Sequence, residues 1–471
     1  MKRFLFVATA LGAALWVFAA PQNVDLGILT KKGEIPTIAV PDFRGVAEAQ
    51  GFMPAFNQTL WADLNTSGVL KMASKSYYPK FTPQQPSDFT APPPPQPEPS
   101  STKRGARPSP AIVAPTNGGG HWLTDWSGPP VQANYLAFGY TAVQNHVFVL
   151  YGWLYDLRNP QQPQAIGKRY NGSADEAGAR KTAHDFAADI LALFGGTSLA
   201  GTHIYFVSDR TGHKEIWAMD FDGNNQHPIT HYNSLSIQPT LSPDGSKLAF
   251  TSYHTGNPGI AVFSVDTPTP RDLRFYNQRA SVNSSPSFTP DGKQIIYSSS
   301  APNDKCCRIY IANLDGTGFR PITSYGSLDI EPRINPKTGG QLVFASNRSG
   351  PEQIYRANLD GTDMERLTDG TGEAGNPAWH PDGQFLAFAW TRGFAAGAWN
   401  VFVMDVGSHQ YVQLTHGEGR NENPNWAPDG KHIVFGSTRN GRSQIYSMLA
   451  NGLQVQMLTT QGNNERPVWG K

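Results

Sequence analysis

Cysteine is almost absent. The 471-residue chain has two, Cys306 and Cys307, and they are neighbours. Adjacent cysteines do not reach disulfide geometry without strain, and no Cys-x-x-Cys spacing is present, so neither a disulfide framework nor a zinc ribbon is expected. Net charge is also small: 38 basic and 37 acidic residues leave +1. That excludes a broad electrostatic footprint for nucleic acid or an anionic membrane. Long apolar runs are missing with one exception, from Phe4 to about Ala20, just after Lys2 and Arg3. This run falls short of the ~20 residues that span a bilayer. Its basic start, and the small-x-small string Val17-Phe18-Ala19, predict a signal peptide over residues 1–19 and a mature chain beginning at Ala20. No cysteine stands directly after the cleavage point, so a lipid anchor is not expected, and neither is a direct membrane span.

Glycine (47) and proline (38) are abundant, together about 18% of the chain against a background of ~12%. Much of this excess falls in a repeat of about 46 residues in the second half. Its signature is x-Pro-x-Trp/Phe-x-Pro-Asp-Gly. It occurs as Gln238-Pro239-Thr240-Leu241-Ser242-Pro243-Asp244-Gly245, then from Ser285, Asn376 and Asn423. It is degraded at Glu331-Pro332-Arg333-Ile334-Asn335-Pro336 and ends the chain as Arg466-Pro467-Val468-Trp469-Gly470. Pro presets φ, Asp tolerates bridging conformations and Gly accepts positive φ, so each Pro-Asp-Gly is a turn. A β-run follows each turn, such as Lys247-Leu248-Ala249-Phe250 or His432-Ile433-Val434-Phe435. A second run follows, such as Gln353-Ile354-Tyr355, then an Asp-Gly or Asn-Gly turn and a short strand ending in Ile/Leu-Thr.

Four short strands per unit, stacked radially, make a propeller. There are six copies of the first strand, the last at residues 467–469. There are six of the remaining three, the first at residues 203–230. The offset predicts that the C-terminal strand closes the first blade. The expected fold is an all-β six-bladed propeller over residues 201–471, preceded by a small mixed α/β domain.

That domain is expected over residues 35–195. Thr37-Ile38-Ala39-Val40 reads as a buried strand. Phe56, Leu60, Trp61 and Leu64 share one helical face. Two strands are expected at residues 135–140 and 147–151, and a second helix from Ser173, with Glu176 completing a capping box. Between about Pro79 and Gly120, a Pro-rich insert containing Pro92-Pro93-Pro94-Pro95 reads as a mobile loop.

Together these features resemble the TolB family of periplasmic propeller proteins of the Tol-Pal system. The resemblance rests on the Pro-Asp-Gly series, the closing strand, Ile38-Ala39-Val40-Pro41-Asp42-Phe43, and residues 62–68 and 182–194. The Pro-rich insert and the degraded turn at Pro336 depart from the family. The resemblance implies a periplasmic scaffold without cofactors. It implies binding of the peptidoglycan-associated lipoprotein on one propeller face. It also implies contact with inner-membrane, TolA-like Tol proteins through the tail of residues 20–34, in support of outer-membrane invagination during division and of envelope integrity. The family's lipoprotein-binding positions lie in the loops before each first strand. Here they correspond to Val282, Asn283, Ser285, Ile330, Glu331, Asn376, Asn423 and Arg466.

The rival reading is a secreted propeller enzyme, a metal-dependent lyase or hydrolase, or a ligand-sensing propeller. A hydrolase needs a Gly-x-Ser-x-Gly elbow, and none occurs; the nearest string is Gly196-Thr197-Ser198-Leu199-Ala200. His231 and His416 fall in non-adjacent repeats, and His380 sits in a Pro-Asp-Gly turn, so no shared metal is expected. No catalytic residue is assigned.

Overall fold

The computed structural model describes residues 35–90, 119–265, 272–274, 280–300, 307–324 and 326–470. The expected leader (1–19), the tail (20–34), Cys306 and most of the Pro-rich insert lie outside these residues.

The front domain is built on one mixed sheet. Strands β1 (Thr37–Ala39), β2 (Arg44–Val46) and β3 (Lys71–Met72) are short. The longer β4 (Tyr135–Gln144), β5 (Val147–Asp156) and β6 (Gln164–Ser173) form an antiparallel meander. The order is β3-β1-β4-β5-β6, with β2 also paired to β4. Sequence reasoning missed β6. It is an edge strand with mostly exposed, polar side chains, so it has no apolar alternation to read.

Helix α1 (Met53–Thr66) carries Pro54 in its first turn, where a missing N–H costs nothing. A single turn, α2 (Thr124–Ser127), precedes β4, and α3 (Glu176–Leu193) follows β6. Phe56, Leu60 and Leu64 of α1 and Phe186 and Ile190 of α3 bury one face of the sheet. The expected start of α3 at Ser173 is corrected. Ser173 ends β6, paired with Val147, and Asp175 is the N-cap, its carboxylate accepting from the Gly178 amide at 2.7 Å.

That first turn packs so closely on β6 that a Cβ on Gly178 would lie 2.0 Å from the Ser173 carbonyl oxygen. Gly178→Ala is therefore expected to destabilise the domain by about 1–3 kcal/mol, the usual penalty of overpacking. Gly51→Ala, with nothing within 4 Å of the added atom, should be neutral in the same thermal melts.

The other sheet face corrects the reading of the insert. Its flanks do not hang free: Tyr78, Phe89, Trp126 and Val131 join Leu136, Phe138 and Tyr155 in a second core. The Phe81 ring stacks on His121 at 3.9 Å, and the Thr90 amide donates to the His121 carbonyl at 2.8 Å. Aromatic residues on both flanks override the local Pro-rich composition.

The rest of the chain forms six four-stranded antiparallel sheets, and in one of them the C-terminal strand Asn464–Gly470 pairs with His203–Ser208. We number this closing sheet blade 1 and the others 2 to 6 in chain order. The Asp-Gly and Asn-Gly turns explain why glycine recurs. Gly223, Gly361 and Gly452 have φ of 88°, 89° and 80°. An added Cβ would lie 2.9, 2.3 and 2.8 Å from the carbonyl oxygens of Leu458, Ile322 and Leu414 in the preceding blade. The repeated Thr has an equally local cause. The hydroxyls of Thr230, Thr323, Thr368, Thr415 and Thr459 accept from the amides of Ile216, Ile309, Ile354, Val401 and Ile445, locking the outer strand to its neighbour.

The α/β domain sits against the face that carries the Pro-Asp-Gly turns. From blade 6, His432 Nε2 lies 2.6 Å from the Thr66 carbonyl oxygen and Gln454 Nε2 donates to that of Asn65 at 2.8 Å. Propeller side chains thus satisfy carbonyls at the C-terminal end of α1, which the helix itself leaves open.

Candidate functional site

The six innermost strands run from the face remote from the α/β domain toward the Pro-Asp-Gly turns, lining a central channel. The residue before the first proline of each repeat is left-handed in every blade: Gln238, Ser285, Glu331, Asn376, Asn423 and Arg466 have φ of 51–56°. Each inner strand breaks register there, a β-bulge that frees the amide of that residue from the ladder. The neighbouring blade takes it up. The Ser285 amide donates to Gln238 Oε1 (3.1 Å), that of Asn376 to Glu331 Oε2 (2.8 Å), and that of Asn423 to Asn376 Oδ1 (3.2 Å). The six residues form a belt around the channel and line a cavity of about 360 Å³ beneath it.

An ion pair crosses the belt. Arg466 of blade 1 lies 3.3 Å from Glu331 of blade 4, on the opposite side of the ring. Burial pushes the Glu331 carboxyl up, but Arg466, Arg333 and the Asn376 donors outweigh it and hold the group below its ordinary value of 4.5. Nearby, burial together with Glu331 and Glu373 pushes the Glu352 carboxyl up. Across the ring the charges pair locally, Lys214 with Glu465 at 2.6 Å and Arg420 with Glu422 at 2.8 Å.

The eight positions singled out from the sequence separate into groups. Val282 alone precedes a strand; the other seven lie within the inner strands, not in the loops before them. Asn283 is buried and accepts from the Ser299 hydroxyl at 2.7 Å, a structural position that Asp329 and Asn421 repeat with Ser346 and Ser437. Ser285, Glu331, Asn376, Asn423 and Arg466 converge in the belt. Ser285 and Glu331 are buried there, their side chains committed to adjacent blades, whereas Asn376, Asn423 and Arg466 remain half-exposed. Ile330 and Val282 are half-buried above the belt. The sixth belt residue, Gln238, was missed, although it stands before Pro239 just as Ser285 stands before Pro286.

His380 does not face the channel: its Nε2 lies 2.8 Å from the Gly430 carbonyl of the next blade. His231 and His416 are exposed. Among the described residues, no three His, Cys, Asp or Glu side chains cluster as a metal site, and no helix is long and apolar enough to cross a membrane.

Comparison with known proteins follows the same lines. A family model described as the TolB beta propeller domain matches residues 192–371 and 367–471. The chain is 36% identical over 203 residues to Protein TolB homolog of Chlorobium luteolum, covering 43% of this chain and 44% of the relative. It is 34% identical over 184 residues to Protein TolB homolog of Chlorobium chlorochromatii, covering 39% and 40%. The chain thus matches less than half the length of either relative. The crystal structure of TolB from Acinetobacter baumannii superposes with a TM-score of 0.70 over 93% of this chain and 97% of that one, at 21% identity. At that identity the likeness concerns the fold.

Proposed function

Because the chain belongs to the TolB beta-propeller family, we propose that it is a periplasmic protein-binding scaffold of the Tol-Pal system and not an enzyme. Its docking face is the channel mouth remote from the α/β domain, and its partner there is the peptidoglycan-associated lipoprotein. The tail of residues 20–34 meets the inner-membrane, TolA-like Tol proteins. Through these two contacts the protein supports outer-membrane invagination and envelope integrity. The belt carries the reading. Its charged and polar groups are largely tied to one another, an arrangement that stiffens a rim. Half-exposed Asn423 presents a side-chain amide at the mouth, a group suited to a polar protein interface.

Asn423→Lys puts a long cationic chain in the mouth. It is expected to weaken lipoprotein binding at least tenfold in calorimetry while leaving the melting temperature within a few degrees. Lys293→Glu, exposed on the Pro-Asp-Gly face, should bind as the parent does. Unchanged affinity for Asn423→Lys would remove the mouth as the docking face.

A further inference from the structure

Among the described residues, the outer face of the α/β sheet is only half covered. Where the second core ends, the same face of β4 and β5 continues as a row of aromatic rings. Phe138 stacks on Trp153 at 5.7 Å and 19°, Trp153 lies 6.4 Å from Tyr140, and Tyr140 stacks on Tyr151 at 5.0 Å and 19°. The Arg169 guanidinium lies 5.9 Å from the Tyr151 ring centre. Tyr140, Tyr151 and Trp153 are half-buried, and Val46, paired beside Ala142 on β2, is 53% exposed. Arg44 and Arg169 are exposed, and neither is paired with a carboxylate among the described residues. Among the described residues, three half-exposed aromatic rings and two arginines without a carboxylate partner share this face.

The stacking narrows what can bind. Rings whose faces are turned to one another present edges and the clefts between them. A sugar ring needs an outward-facing plate, which this row does not offer. Pyrrolidine rings of a polyproline II helix fit between aromatic ridges, the mode in which aromatic grooves take proline-rich segments. The described chain reaches the head of the row at Phe89, and the sequence beyond it is proline-rich. Phe89 packs edge-on against Phe138 at 5.2 Å. One residue later, after Thr90, comes Ala91-Pro92-Pro93-Pro94-Pro95-Gln96-Pro97-Glu98-Pro99. At ~3.1 Å per residue, residues 92–99 reach about 25 Å, longer than the row of rings. Glu98, the one carboxylate in residues 91–118, would reach the far end, where Arg169 stands.

We infer that the Tyr140–Tyr151–Trp153 face is a docking groove for the chain's own proline-rich segment, residues 92–99. Docking in cis gives the insert a defined path across the α/β domain.

The test places a photo-crosslinker in the groove of the full-length protein, as Tyr151→p-benzoylphenylalanine. Irradiation is expected to join position 151 to residues 92–99 within one chain, as mapped by mass spectrometry. Replacing Pro92, Pro93, Pro94 and Pro95 by Ser keeps the tether but removes the rings, and should lower the yield at least fivefold. The same crosslinker at exposed Arg169 should reproduce both results. An equal yield from the Ser variant would mean proximity without recognition. Crosslinks to a second copy, or none to residues 92–99, would assign the groove to another occupant. Each of these outcomes overturns the inference.

Discussion

A chain ending at Asn463 is expected to lose its cooperative thermal transition and to aggregate. The eight missing residues supply the whole inner strand of blade 1. Without them the backbone edge of His203–Ser208, paired now to Asn464–Gly470, lies open and invites edge-to-edge association. Trp469, only 6% exposed, is lost from a core it shares with Ile204, Phe206 and Val434. Removing one such aromatic side chain costs about 3–5 kcal/mol, and a whole domain has about 5–15 to lose. Near-ultraviolet circular dichroism and melting temperature report the outcome. A synthetic peptide of residues 464–471 added in excess should restore part of the signal, because the gap it fills is preformed. A truncated chain that melts like the parent would show that the ring does not depend on its closing strand.

The second large effect is expected for Arg466→Asn. The new residue suits the left-handed backbone, since Asn376 and Asn423 occupy the same position in blades 5 and 6. What is lost is the ion-paired countercharge of buried Glu331, which leaves Arg333 as the remaining nearby cation. Breaking a buried ion pair costs about 3–5 kcal/mol; because Arg466 is a third exposed, about 3 is the expected value. Glu331→Gln in the same chain should recover most of it. The pH dependence follows from the depressed carboxyl. In the parent, the stability from Glu331 is fully present above 4.5 and is lost as pH falls through the lower folded-state value. Without Arg466, Arg333 and the Asn376 donors still act on the carboxyl but the lowering is weaker, so the carboxyl moves up relative to the parent; the deficit is largest at neutral pH and shrinks as pH falls through that higher value. Urea midpoints at pH 7 and pH 5 distinguish the two patterns.

The parts of the fold that were legible in the sequence are those where local chemistry and tertiary role coincide. Pro-Asp-Gly and Asp-Gly mark turns through φ preferences that hold in any context, so blade number and the C-terminal seam followed from counting. Gly361 shows how much a motif can carry, combining a positive φ with contact against the neighbouring blade. The belt was half legible. The residue before each proline could be found, but its left-handed bulge could not, because proline constrains its predecessor toward extended backbone. Tertiary pairing overrode that preference in all six blades. The same override hid the buried partners of Asn283 and Glu331, which the sequence places in the loops before the first strands. Edge strand β6 left no periodic signal, and the packed flanks of the insert depend on rings such as Phe89 and Trp126, which meet only in three dimensions.

Hydrogen exchange of the full-length protein with and without the lipoprotein tests the central claim most directly. Binding at the mouth predicts slowed exchange in residues 280–284, 328–331, 373–376 and 420–423, with residues 290–293 and 381–384 on the Pro-Asp-Gly face unchanged. Protection confined to that opposite face, or to the α/β domain, would contradict it.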